Sequence, residues 1–151
     1  MAHCPSMVKR SDKTNKRPRA VMIHGLTHAR AACIAAREVG VPLELHSAPD
    51  AVASLGPLWF QKILEEIDAE FPDLDIEMVL DCGDAAGYAL AALRQGLKHI
   101  RFSGPKITTE KIRDMARQQK AVLHKGWPDI LDLGHEADPA NACRHWFENS
   151  P

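Results

Sequence analysis

Ionisable side chains follow several short apolar runs of this sequence, each at the point where the run ends. Three histidines, His24, His46 and His124, stand at such points, and so does the acidic Asp81. A histidine paired with an aspartate suits general acid–base chemistry, because the carboxylate can orient the imidazole ring. We therefore predict His24, Asp81 and His124 as candidate catalytic residues, and we leave open whether the protein is an enzyme.

Other polar or small residues at the same points are typical of ligand binding. The candidate binding residues are His46, Ser47, Cys82, Asp84, Ser103 and Gly104. If helices follow these points, their free N–H groups favour a negatively charged group such as phosphate or carboxylate. The sequence thus predicts a small anionic ligand, with phosphorylated molecules included. The competing interpretation is turn chemistry alone, since strand-to-helix turns also need polar residues and glycine.

The sequence carries few motifs that would name a cofactor. His24 and His28 are four residues apart, but the segment HGLTH lacks the glutamate of the zinc motif HExxH. A metal site formed by His24, His46, Asp81 and His124 is an alternative that the sequence leaves open. We do not assign any residue as a metal ligand. The phosphate-loop, dinucleotide and serine-hydrolase motifs are absent from the sequence. The cofactor is therefore unknown.

Short strand patterns alternate with helical periodicity along most of the chain. The predicted strands cover 20–23, 42–45, 76–80, 99–102 and 121–123, and the predicted helices cover 27–39, 57–70, 85–95, 108–119 and a last segment from 139. Such alternation predicts an α/β fold of about five parallel strands joined by right-handed crossovers. We expect a flavodoxin-like open three-layer sheet, with a partial aldolase-type βα barrel as the alternative. Ligands of such sheets bind at the carboxyl ends of the strands.

Charge divides the chain into two parts. The protein has 151 residues and a formal net charge of -1, yet residues 1–20 alone carry +5. Because that segment has few apolar residues, we predict a disordered basic arm over 1–19 and a single α/β domain over 20–151. Basic residues interleaved with aromatic ones, which would suit base stacking, are missing, so nucleic acid is not a predicted partner.

Location and assembly follow from weaker signals. No run of about 18 uncharged apolar residues occurs, which predicts no membrane span. Four scattered cysteines without CxxC spacing and no recognisable secretion signal favour a reducing cytoplasm. Leu58 and Trp59 are adjacent near the start of a predicted helix whose inward face carries Phe60. An outward apolar pair of this kind favours a homo-oligomer.

Two segments, 47–64 and 79–96, carry a more specific pattern. SAPDAVASLGPLWFQKIL and VLDCGDAAGYALAALRQG resemble a group of short uncharacterised bacterial α/β proteins with Ser-Ala-Pro, Gly-x-x-Trp and Leu-Asp-Cys-x-Asp-Ala motifs. The resemblance implies that Ser47, Pro49, Trp59, Asp81, Cys82 and Asp84 belong to a shared feature, and it implies no activity. The second segment is also similar to a late βα unit of aldolase-type barrels.

Overall fold

The computed structural model describes residues 17–49 and 51–149. Strands and helices alternate along them: β1 (Arg19–Ile23), α1 (Leu26–Val39), β2 (Leu43–Ser47), α2 (Ala51–Glu70), β3 (Ile76–Asp81), α3 (Ala86–Arg94), β4 (His99–Arg101), α4 (Lys106–Gln118), β5 (Val122–His124), β6 (Ile130–Asp132), a 3-10 turn (Leu133–His135) and α5 (Pro139–Glu148).

All six strands are parallel and form one open sheet in the order β5-β4-β3-β2-β1-β6. The predicted class, a flavodoxin-like open α/β sheet, is confirmed. Strands β1 to β5 lie side by side in chain order, as they would in an aldolase-type barrel. The sheet does not close, because β5 and β6 lie at its opposite edges.

The strand count differs from the prediction. The predicted strands and helices leave 124–138 unassigned, but Ile130–Asp132 pair with β1 as the sixth strand. Three residues are too few to show an alternating pattern, so this strand is recognisable only by its pairing with the edge of β1. The chain therefore crosses from one edge of the sheet to the other between β5 and β6, and residues 125–129 make that crossing.

Several helix boundaries also differ. Helix α2 begins at Ala51 rather than at Pro57, and its first turn is separated from the rest by Gly56, which has a left-handed φ of 79°. Helix α3 has Ala85 as its N-cap, so Asp84 does not cap it. Helix α4 begins at Lys106, two residues before the predicted start. Helix α5 begins at Pro139, as predicted, and the Asp138 side chain before it accepts a hydrogen bond from the backbone of Asn141.

The core lies between the sheet and the helices. The helices contact one another in the series α5, α1, α2, α3, α4, which matches the series of strands beneath them. On the inward face of α1, Ala29, Ala32, Cys33 and Ala36 are fully buried, and Val39 is partly buried. Their small side chains let α1 lie close to the sheet, where it contacts β1 and β2.

Strand β1 begins one residue earlier than predicted. Arg19 opens β1, and its guanidinium lies 4.0 Å from the centre of the Trp146 ring while donating to the Trp146 carbonyl. The rest of the predicted basic arm, up to residue 16, lies outside the described residues. None of the described helices is long and apolar enough to cross a membrane.

Candidate anion site on the polar face of the sheet

Charged residues occupy the strand positions that alternate with the core. Leu45, Leu80 and Ile100 belong to the core, whereas Glu44, His46, Asp81 and Arg101 occupy the intervening positions of β2, β3 and β4. Because successive side chains of a strand point to opposite faces, the latter set shares the face opposite the core. Asp81 is directly beside Arg101 in the register of β3 and β4. We call this surface the polar face.

A chain of hydrogen bonds links these side chains across three strands. The Arg101 Nε donates to Oδ1 of Asp81 at 3.0 Å, and its Nη1 donates to Nδ1 of His46 at 3.0 Å. His46 Nε2 lies 2.6 Å from Oε1 of Glu44. Arg101 extends from β4 across β3 to reach β2, so it connects strands that are not neighbours. We call Glu44, His46, Asp81 and Arg101 the buried network.

The partners of His46 fix its tautomer. A guanidinium has only N–H donors, so Nδ1 of His46 must accept from Arg101. The ring proton therefore lies on Nε2 and is donated to the Glu44 carboxylate. The same hydrogen bond holds the pKa of Glu44 below its ordinary value. Within the network, His46 is a neutral connector between a cation and a carboxylate.

Arg101 combines complete burial with an unused donor. Its exposed fraction is 0%, yet Nη2 has no hydrogen-bond partner within the described part of the chain. Burial lowers the pKa of Arg101, although the Asp81 carboxylate opposes that shift. Burial likewise raises the pKa of Asp81, with Arg101 acting in the opposite direction. A buried donor on a charged group without a partner is costly, and it marks a position that a ligand atom could fill.

Trp127 covers this guanidinium. Its ring centre lies 3.4 Å from Cζ of Arg101 and 6.0 Å from the ring centre of His46. Trp127 is itself 41% exposed and belongs to the crossing segment 125–129, which is neither helix nor strand. The buried network is therefore separated from solvent at this point by one aromatic side chain on a loop.

A second histidine group lies beside the network on the polar face. Nδ1 of His99 and Nε2 of His124 are 3.0 Å apart, so one ring donates while the other accepts. Glu77 is 4.0 Å from the same His99 nitrogen. Burial lowers the pKa of His124, and the neighbouring His99 lowers it further. Protonation of both rings at once is thereby disfavoured.

A third polar group, exposed to solvent, lies where β1 and β6 end. His24 Nε2 is 2.7 Å from Oδ1 of Asp132, which also accepts from the Gly134 backbone at 2.8 Å. Burial alone would raise the pKa of Asp132, but the Gly134 N–H and His24 lower it overall. A Cβ on Gly134 would lie 2.8 Å from the His24 ring nitrogen. We call His24 and Asp132 the exposed dyad.

The candidate catalytic residues are thus distributed over three groups. Asp81 lies in the buried network, His124 pairs with His99, and His24 pairs with Asp132 instead of Asp81. The open alternative of a metal bound by these residues and His46 gains no support. Among the described residues, no group of three or more His, Cys, Asp or Glu side chains is placed to hold a metal ion.

The candidate binding residues have mixed positions. Ser47 is fully buried and its Oγ accepts from the Asp81 backbone at 2.9 Å, so it supports the end of β3. Cys82 is buried in the core beneath the sheet, and burial raises its pKa to about 12. Asp84 and Ser103 are exposed.

Gly104, the last of the candidate binding residues, has a steric role. Its Cα is covered by the Phe102 ring, where a Cβ would approach to 2.3 Å. Any larger residue at this position would displace the ring.

Sequence reasoning did not find Arg101, Glu44, His99, Trp127 or Asp132. A signal was present in two short segments, Glu44-Leu45-His46 and His99-Ile100-Arg101, where polar or charged residues alternate with apolar ones. This period of two is typical of strands with one polar face. The predicted site residues mostly follow the strands, whereas the interacting side chains of the buried network lie within the strands.

Comparison with known proteins adds no family assignment. No family model matches the chain, and a search of curated proteins finds no match.

Proposed function

We propose that this protein binds a small anionic molecule on the polar face, near the carboxyl ends of β2, β3 and β4. The observation that supports it best is the fully buried Arg101 with Nη2 unpartnered among the described residues. An ordinary structural arginine at this depth would use its donors, because an unmade hydrogen bond on a buried charged group costs more than about 1–3 kcal/mol. A ligand oxygen on Nη2 removes that cost.

Access to the site requires a movement of Trp127. Its contact with the guanidinium is a cation–π interaction, which is worth about 2 kcal/mol when shielded from water. A charge-assisted hydrogen bond to Nη2 is of comparable strength, so a ligand can replace the indole without a large net cost. Residues 125–129 contain no helix or strand that would have to unfold.

The test is a thermal-shift screen of small anions, phosphorylated metabolites and nucleotides at constant ionic strength. A ligand present at 100 times its dissociation constant stabilises the fold by about 2.7 kcal/mol, which is easily measured. The expected result is a saturable shift in the wild-type protein that Arg101→Lys weakens strongly, because lysine cannot reproduce the guanidinium's donors.

Two variants keep this experiment interpretable. Arg117, on α4, has a side chain that is 72% exposed, so Arg117→Lys is the matched control that must leave the shift intact. Trp127→Ala uncovers the Arg101 guanidinium but keeps the four side chains of the buried network, so it should change affinity without loss of fold, as checked by circular dichroism. If no compound shifts the wild type, or if Arg101→Lys responds like it, the proposal fails.

A second candidate is a non-catalytic interaction module that acts as an oligomer. Leu55 and Leu58 lie on either side of the Gly56 kink and are 52% and 56% exposed, while Trp59 packs partly against the core. Light scattering on the wild type and on Leu58→Lys tests this candidate. A monomer in both cases would contradict it.

A further inference from the structure

The chemistry around Arg101 refines the proposed function, on which this step rests: the ligand keeps an anionic group for Arg101 but carries no net charge as a whole. We infer that the ligand carries one carboxylate with a positively charged hydrogen-bond donor close beside it, as an α-amino acid does. The carboxylate would accept from Nη2 of Arg101, and the donor would be met by the carboxylates of the buried network.

The first argument is the number of donors. Of the three guanidinium nitrogens, Nε is bonded to Asp81 and Nη1 to His46, and Nη2 has no partner among residues 17–49 and 51–149. Sites for phosphate groups usually combine several N–H donors from helix ends, lysines and arginines. One terminal nitrogen suits a single carboxylate oxygen better than the three oxygens of a phosphate.

The second argument is the charge of the network. Arg101 is its one permanent cation, while Asp81 and Glu44 are both carboxylic acids. His46 cannot add a positive charge without losing its bond from Arg101, because Nδ1 is the acceptor in that bond. A phosphate dianion would therefore add two negative charges to a group that is already short of positive charge. A ligand with no net charge adds none.

The third argument is the position of the acceptors. Asp81 is bonded to the guanidinium itself, and Glu44 lies one imidazole ring away from it, with a side chain that is 18% exposed. A ligand carboxylate on Nη2 thus has carboxylates nearby on the same face of the sheet. An ammonium group attached close to the ligand carboxylate would offset the repulsion between them.

The experiment compares four probes at constant ionic strength: L-alanine, propionate, ethylamine and inorganic phosphate. Propionate keeps the carboxylate of alanine and lacks its ammonium, while ethylamine has the reverse composition. Binding is followed by thermal shift and by the fluorescence of Trp127, whose contribution is identified with Trp127→Phe. We expect L-alanine to bind at least about tenfold more tightly than propionate, the order of one charge-assisted hydrogen bond.

Glu44→Gln provides a variant that keeps an acceptor for His46 and removes one charge. It should reduce the preference for alanine over propionate, whereas Arg117→Lys should not. Because free amino acids also stabilise proteins without binding, at high concentration, only a saturable shift that Arg101→Lys weakens counts as binding.

The outcomes separate this inference from the proposed function. Equal binding of alanine and propionate, or tighter binding of phosphate that depends on Arg101, would overturn the inference and leave the anion site in place. A preference for alanine that survives in Glu44→Gln would also overturn the role given to that carboxylate. Failure of all four probes, together with the wider anion screen, would overturn both.

Discussion

The buried network and the exposed dyad each contain a basic side chain hydrogen-bonded to an aspartate, in opposite surroundings. Arg101 and Asp81 have side chains that are 0% and 5% exposed, whereas those of His24 and Asp132 are 38% and 41% exposed. The distances are similar, 3.0 Å and 2.7 Å. The distances alone therefore do not show which pair contributes more to stability. The difference lies in how far each pair is exposed to solvent.

Solvent changes what each pair contributes. Water screens the exposed dyad, so such pairs are usually worth between zero and about 1 kcal/mol. In the buried network, the attraction is stronger but both groups have lost their hydration, so the pair is costly to break and adds little net stability. Under the proposed function, burial would keep a charged group ready for a ligand, whereas the surface dyad has no comparable unused donor among its described contacts.

Removal of one buried partner has the largest expected effect. Asp81→Ala leaves the Arg101 guanidinium buried without its carboxylate, which should lower the free energy of unfolding by about 3–5 kcal/mol. Urea denaturation followed by circular dichroism measures the change. Asp81→Asn keeps the size and one acceptor, so its loss should be smaller. A loss below about 1 kcal/mol in Asp81→Ala would show that this pair behaves like a surface pair.

The second largest expected effect is a loss of stability on acidification, caused by titrating groups on the polar face. Because the folded pKa of His124 is lowered, the stability it contributes is present above the ordinary histidine value of about 6.5 and is lost as pH falls through the folded value. The pKa of Glu44 is also lowered, so its contribution to stability is present above the ordinary value of about 4.3 and is lost as pH falls through the folded value.

Asp81 acts in the opposite sense to these two groups. Its pKa is raised, so its contribution is greatest at low pH and falls as pH rises through the folded value. A variant of His124 is therefore needed to isolate that residue.

The matched variant is His124→Gln, which keeps a polar atom near His99 but does not titrate. The wild type should lose more stability than this variant between pH 7 and pH 5, as measured by urea unfolding at each pH. His145→Gln, on the exposed side of α5, is the control and should follow the wild type. Parallel curves for all three proteins would contradict the prediction.

Gly134→Ala tests the support of the exposed dyad. The new methyl group would lie 2.8 Å from Nε2 of His24 and 3.1 Å from Oδ1 of Asp132, so it should push the imidazole away. Since that ring is the movable end of a partly exposed side chain, we expect a loss of about 1 kcal/mol. Nuclear magnetic resonance of the histidine ring detects the displacement, and unchanged His24 signals would argue against it.

Asp132→Ala should have the smallest effect on stability. Removal of an exposed partner costs between zero and about 1 kcal/mol, and added salt should reduce the difference from the wild type. The loss caused by Asp81→Ala should depend much less on salt, because that pair is shielded from solvent. The same salt sensitivity for both variants would remove the distinction between the two regions.

The fold was more predictable than the site. Apolar runs such as Ala20–Ile23 and the alanine-rich face of α1 carry strong local periodicity, and they identified the parallel α/β class. β6 escaped prediction because its three residues are recognisable only by pairing with β1. Arg101 escaped because its role depends on reaching over β3 to His46 on β2, which requires the strand order. Contacts between strands distant in sequence leave no local pattern.

The reactivity of the core cysteines can report transient unfolding of the protein. Cys33, Cys82 and Cys143 are buried free thiols whose pKa burial raises to about 12, so alkylating reagents meet almost no thiolate in the native state. Their labelling must therefore wait for the domain to open. In a variant with Cys4 replaced by serine, the rate of thiol alkylation measures how often the domain unfolds transiently. A ligand that stabilises the native state would lower this rate as its occupancy rises.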